Sequence, residues 1–214
     1  MIQINKNQQN IEEILNSLSH GIAAIVSTIG CILLIINCNS NQEWALFSAI
    51  IYGLSLIILY TSSALYHSVN NKELKHIFRI LDHCSIFFLI AGTYTPVLLI
   101  SIGGKIGWCM FAIQCVFVLV GCVFKFFYTG RYEGLSILMY ILMGWMIIIK
   151  WDYLVNTISN SAFNLLISGG SMYTIGVLFY LLDEKIKYFH FIWHLFVIAG
   201  SMLHYIMIYQ YVLN

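Results

Sequence analysis

The sequence predicts an all-α membrane protein, a bundle of seven transmembrane helices with a cytoplasmic N-terminus and the C-terminus outside. Three observations carry this. Apolar residues make up 60% of the 214 positions and charged residues 9%, against roughly 45–50% and about 25% in an average soluble domain. Seven stretches are apolar enough to cross a hydrocarbon core of roughly 30 Å, which takes about 20 residues of helix. Lysine and arginine alternate between the connecting segments in the manner that sets orientation. With a mean hydropathy of +0.85, the chain has too few charges to solvate a globular surface. That excludes a cytosolic enzyme, a disordered chain and a nucleic-acid binder, which needs a basic face. The net charge of +1 matters less than where the charges lie.

Residues 1–19 are polar and read as a cytoplasmic or interfacial segment, and 20–214 as the seven-helix membrane domain. The first segment lacks a basic n-region followed by a short apolar core, so no signal peptide is expected. Within it, Ile11, Ile14, Leu15 and Leu18 share one helical face. This fits either a short amphipathic helix on the inner membrane surface or a helical extension of the first span. The spans are expected at about 20–38, 44–66, 80–101, 106–127, 134–150, 161–182 and 189–213, the fifth being the shortest. With seven spans, the N-terminus and the second, fourth and sixth loops share a side. That side holds Lys6, Lys72, Lys75, Arg79, Lys125, Arg131, Lys185 and Lys187; the other holds Lys105 and Lys150. The richer side is cytoplasmic by the positive-inside rule. Trp44, Trp108 and Trp151 fall near the outer ends, where interfacial tryptophans gather. Gly92 and Pro96 predict a kink in the third span, with threonine hydroxyls near the freed carbonyls. Gly169 and Gly170 predict close packing of the sixth. The six cysteines contain no C-x-x-C pair and read as small buried core residues.

Ionisable groups inside spans are costly and are functional candidates by default. Ser63 and His67 lie four apart near the cytoplasmic end of the second span. Asp82 lies at the cytoplasmic start of the third, and His190 and His194, again four apart, at that of the seventh. The up-and-down order brings all of them to similar depth in the inner leaflet. Three imidazoles from two helices with a nearby carboxylate match a catalytic Zn2+ site with three protein ligands and an open fourth position. Such an ion lowers the pKa of its bound water to about 7. Asp82 can then orient that water or take its proton, and Ser63 can bond a developing oxyanion or the water. Other readings stay open. The histidines can be hydrogen-bonded core residues, Asp82 can pair with Arg79 at i−3, Ser63 can bond back to its own helix, and His67 with His194 can hold haem. His76 is expected in solvent and His83 at the interface. His204 lies about 15 Å beyond His194 along the helix, too deep to share the metal. His20 shares a face with Glu13 and Asn16, and fits a supporting place beside the ligands or a snorkelling or capping role.

S-A-L-Y-H at Ser63–His67, L-D-H at Leu81–His83, G-T-Y-T-P at Gly92–Pro96 and H-F-I-W-H-L-F-V-I-A-G at His190–Gly200 together resemble the hemolysin III family. This is the bacterial branch of the progestin and adipoQ receptor superfamily. The N-terminal Glu13-x2-Asn16-x3-His20-Gly21 is similar to that branch in particular. The resemblance implies a seven-helix fold in the bacterial cell membrane. It implies Zn2+ held by His67, His190 and His194, with Asp82 reaching the metal through water. Eukaryotic relatives are membrane receptors, some linked to ceramide hydrolysis, while bacterial members carry a cytolytic name and some are linked to membrane lipid homeostasis. Three functions follow as expectations: a zinc-dependent hydrolase of a lipid amide or ester with membrane lipids as partners, a channel-forming cytolysin, and a zinc-stabilised sensor without catalysis.

Overall fold

The computed structural model describes residues 6–214, and the first five positions of the predicted N-terminal segment lie outside the described residues. All regular structure among the described residues is helical: α1 (Lys6–Asn37), α2 (Ala45–Ser68), α3 (Lys72–Pro96), α4 (Gly104–Tyr128), α5 (Glu133–Gly144), α6 (Trp151–Thr157), α7 (Asn160–Tyr180) and α8 (Phe189–Tyr211). A π-helical turn, Val97–Ile102, prolongs α3, and a 3₁₀ segment, Met146–Lys150, joins α5 to α6. Seven helical stretches among the described residues are long and apolar enough to cross a membrane, the fifth running Glu133–Thr157 through its break at Trp145. This is a multi-pass membrane protein.

Contacts between helix ends confirm the up-and-down order. Ser17 Oγ near the start of α1 donates to Ala64 O near the end of α2, 3.1 Å. At the opposite end, Asn39 N, just after α1, donates to Leu213 O, just after α8, 2.8 Å. Helix starts are capped where the sequence supplies acceptors: Asn71 accepts from Glu73 N and Leu74 N, and Ser159 from Ala162 N, as short polar N-caps do. Trp44 packs edge-on against Trp108, centroids 4.9 Å apart, and Trp151 against Phe163 at 5.0 Å.

Of the two readings of the N-terminal segment, the continuous helix holds: α1 runs unbroken through residues 19 and 20. Its polarity is inside out. Ile11, Ile14 and Leu18 are exposed, whereas Asn16 and His20 are only 3% exposed. Apolar side chains are cheap against lipid tails, so the face that turns inward is the one that carries hydrogen-bonding groups. In α3, Thr93 and Thr95 donate to Leu89 O and Ala91 O, both at 2.8 Å. Those bonds flank the turn where Pro96 has no N–H to give. Gly92 lets α2 close in: a Cβ there would fall 2.3 Å from Ser55 Oγ. Gly169 does the same for α8, where a Cβ would fall 2.3 Å from His204 Cδ2.

Candidate metal centre

His67 comes from the last turn of α2, and His190 and His194 from the first two turns of α8. One ligand atom from each lies within 4.8 Å of the others. The ring centroids are 5.0 Å apart for His67–His190 and His67–His194, and 4.8 Å for His190–His194. His67 is 7% exposed and His194 2%, while His190 is partly buried. The i, i+4 spacing stacks the two α8 rings on one face, and antiparallel packing delivers the third.

Two carboxylates orient these rings; the sequence singled out Glu13 beside Asn16 and His20 but not its pairing with His67, and it gave no signal for Asp183. Glu13 Oε2 of α1 lies 2.9 Å from His67 Nδ1, and Glu13 Oε1 accepts from Lys75 Nζ at 3.0 Å. Asp183 Oδ2, in the turn before α8, lies 2.6 Å from His190 Nδ1. A carboxylate only accepts, so each Nδ1 carries the proton and leaves the Nε2 lone pair to point elsewhere. Pairing of a ligand's far nitrogen with a carboxylate is the usual support of a metal-binding histidine. His67 Nε2 and His194 Nδ1 are buried with no hydrogen-bond partner. Buried polar atoms without partners are rare. Orphaned nitrogens at the focus of three imidazoles therefore fit a bound metal ion.

The surrounding residues settle several alternatives. Arg79 turns to Glu133, NH2 to Oε1 at 3.9 Å, so the expected i−3 partner is engaged on another helix. Ser62 bonds back to Leu59 O at 3.0 Å; Ser63, 1% exposed, does not, and its Oγ has no partner. Ser63 and Asp82 instead line one cavity together with His190 and His194. His20 neither snorkels nor caps. Its ring stacks flat on His194, centroids 3.7 Å apart and planes 8° from parallel, with Tyr60 edge-on at 5.0 Å. His76 is exposed. His83 is 8% exposed, its Nδ1 3.7 Å from Glu133 Oε2, which also binds the fully buried Lys125. Haem ligation by His67 and His194 alone would leave His190 and its Asp183 partner unexplained.

The cavity has a volume of ≈ 140 Å³ and reaches from the histidine centre along α3 and α8 to Tyr94 and His204. Leu59, Ile86, Leu89, Ile141, Val177 and Val197 form much of its wall. A polar end and a long apolar body suit an amphiphile.

A family model described as Haemolysin-III related matches residues 8–205. "Hemolysin-3" of Bacillus cereus is 41% identical over 203 residues, 94% of this chain and 92% of the relative. "Hemolysin-3 homolog" of Bacillus subtilis (strain 168) is 42% identical over 191 residues, 89% of each chain. "Monocyte to macrophage differentiation factor" of Homo sapiens is 30% identical over 207 residues, 94% of this chain and 84% of the relative. From Glu13 in α1 to His194 in α8, every residue of the centre lies inside the matched span, and the chain belongs to the Haemolysin-III related family.

Proposed function

We propose that this protein is a zinc-dependent hydrolase of a lipid amide or ester, working at the cytoplasmic side of a bacterial inner membrane. The observation that carries the reading is a mainly apolar cavity lined by Asp82 and Ser63 together with His190 and His194, two of the three clustered histidines. His67, His190 and His194 would hold the ion. Bound there, Zn2+ supplies a Lewis acid and an acidified water molecule.

The chain's own residues do the rest. Glu13 and Asp183 hold the rings of His67 and His190 in register. Asp82 takes a proton from the attacking water and returns it to the leaving amine or alcohol. Ser63 Oγ, with no partner of its own, donates to the oxygen on which negative charge develops. Hydrolysis breaks the acyl C–N or C–O bond. The acyl carbon keeps the hydroxyl of water, and the leaving group departs with the proton. The apolar wall holds the acyl chain and keeps bulk water from the reacting carbonyl.

Incubation of purified protein with ceramide and glycerophospholipid panels in detergent, followed by mass spectrometry, tests this. We expect one lipid class to lose its acyl chain with wild type. The Asp82→Asn variant should keep its metal and fold while turnover falls about 100-fold or more. Equal turnover by Asp82→Asn, or none by metal-loaded wild type on any lipid class, contradicts the hydrolase. The name of the bacterial relatives also suits a membrane-lysing channel. That reading requires dye release from liposomes containing the wild type. Against it, the buried imidazoles other than His204 gather at one end of the bundle rather than along a full transmembrane path.

A further inference from the structure

His204 has a place in the cavity that the metal centre does not explain. It sits on α8 in the interior of the bundle, 7% exposed, and lines the cavity at the end remote from His194. Its Nε2 lies 3.0 Å from Leu166 O of α7. A carbonyl oxygen only accepts, so Nε2 is the protonated nitrogen, and in a neutral imidazole Nδ1 is then a bare acceptor. That Nδ1 is buried and has no partner. The nearest hydroxyl of an aromatic neighbour is occupied elsewhere: Tyr173, with its ring 5.6 Å from His204, has its OH 2.7 Å from Ser201 Oγ. The ring packs directly on the α7 backbone at Gly169, where a Cβ would fall 2.3 Å from His204 Cδ2 and 2.4 Å from Nε2.

An acceptor fixed in this tautomer, against hydrocarbon, calls for a donor from whatever fills the cavity. Ten residues of helix separate His194 from His204, about 15 Å at 1.5 Å per residue. We propose that the cavity binds an acyl chain bearing a hydroxyl about 15 Å from the carbonyl or carboxylate presented to the three-histidine centre, and that His204 Nδ1 accepts from this hydroxyl. His204 thereby reads a polar mark on the chain that the apolar wall alone cannot distinguish. The inference rests on the cavity being a lipid site, as in the proposed function, and not on hydrolysis.

The test is equilibrium binding of three probes to the purified, metal-loaded protein in detergent. They are stearate, a hydroxystearate with its hydroxyl about 15 Å from the carboxylate, and the ketone at the same carbon. The ketone matches the alcohol in position and is polar but cannot donate. Wild type is expected to bind the alcohol about tenfold more tightly than either the ketone or stearate. In His204→Leu the preference disappears while stearate affinity holds, and His204→Gln, which keeps an acceptor, restores part of it. Stearate binding with no preference for the alcohol overturns this inference alone, because a buried water can satisfy Nδ1 equally under all three probes. No binding of stearate overturns both this inference and the reading of the cavity as a lipid site. The wild-type comparison decides the matter even if a variant fails to fold.

Discussion

Glu13 is the most informative single residue of the centre, because it joins three helices through one carboxylate. Its two oxygens engage His67 of α2 and Lys75 of α3. Loss of a carboxylate that orients a metal-bound histidine typically costs 10–100-fold in metal affinity. Glu13→Gln is therefore expected to weaken zinc binding by about that factor without changing helix content, read by competition with a metallochromic chelator. Asp183→Asn should act alike at His190. Unchanged affinity in both variants would mean that the rings are held by packing alone. His20 adds a different kind of support. It stacks on His194 and has no hydrogen-bond partner at either nitrogen, so its contribution is the flat contact that fixes the ring plane.

At the scale of the helices, the membrane spans were legible because hydrocarbon thickness sets a length that the apolar runs must meet. The cluster of His67, His190 and His194 was legible because i, i+4 histidines share a face and chain order fixes which ends meet. Their supports were not. Glu13 is 54 residues from His67, and no periodicity connects them. Asp183 lies in a turn whose path the sequence does not specify. The start of α1 fitted two readings for a physical reason: an apolar face of Ile11, Ile14 and Leu18 suits the membrane surface or lipid alongside a continuous span, and it points outward while Asn16 and His20 are buried. Close helix approaches also escape sequence reading, since small residues have many uses. Gly107 in α4 is the tightest, where a Cβ would fall 2.0 Å from Leu98 O in the π-helical turn. Backbone cannot yield as a side chain can, so Gly107→Ala should lower stability by about 1–3 kcal/mol. Thermal unfolding in detergent measures this, and an unchanged midpoint would mean that α4 and the turn are not in contact in the bilayer.

For the whole molecule, the proposed chemistry depends on which leaflet holds the centre. By the positive-inside rule, eight lysines and arginines on one side and two on the other predict that the histidine end faces the cytoplasm. An alkaline phosphatase fused after Asn214 should be active, and one fused in the loop between α7 and α8 inactive, because the enzyme matures only outside the cytoplasm. The reverse pattern would put the centre in the outer leaflet and give it a different set of lipids. The up-and-down order itself is already fixed by contacts such as Asn39 N to Leu213 O. Helix α1 closes the bundle by bringing Glu13, Asn16 and His20 to one end, so a metal ion bound at the three histidines would be thermodynamically linked to the fold.

The most direct test of the central claim is the metal content of protein purified in detergent without chelator. Wild type should be compared with His67→Ala and His190→Ala. About one zinc per chain, lost in both variants, is the predicted result. A folded wild type that carries no metal and takes up none from added zinc would contradict it.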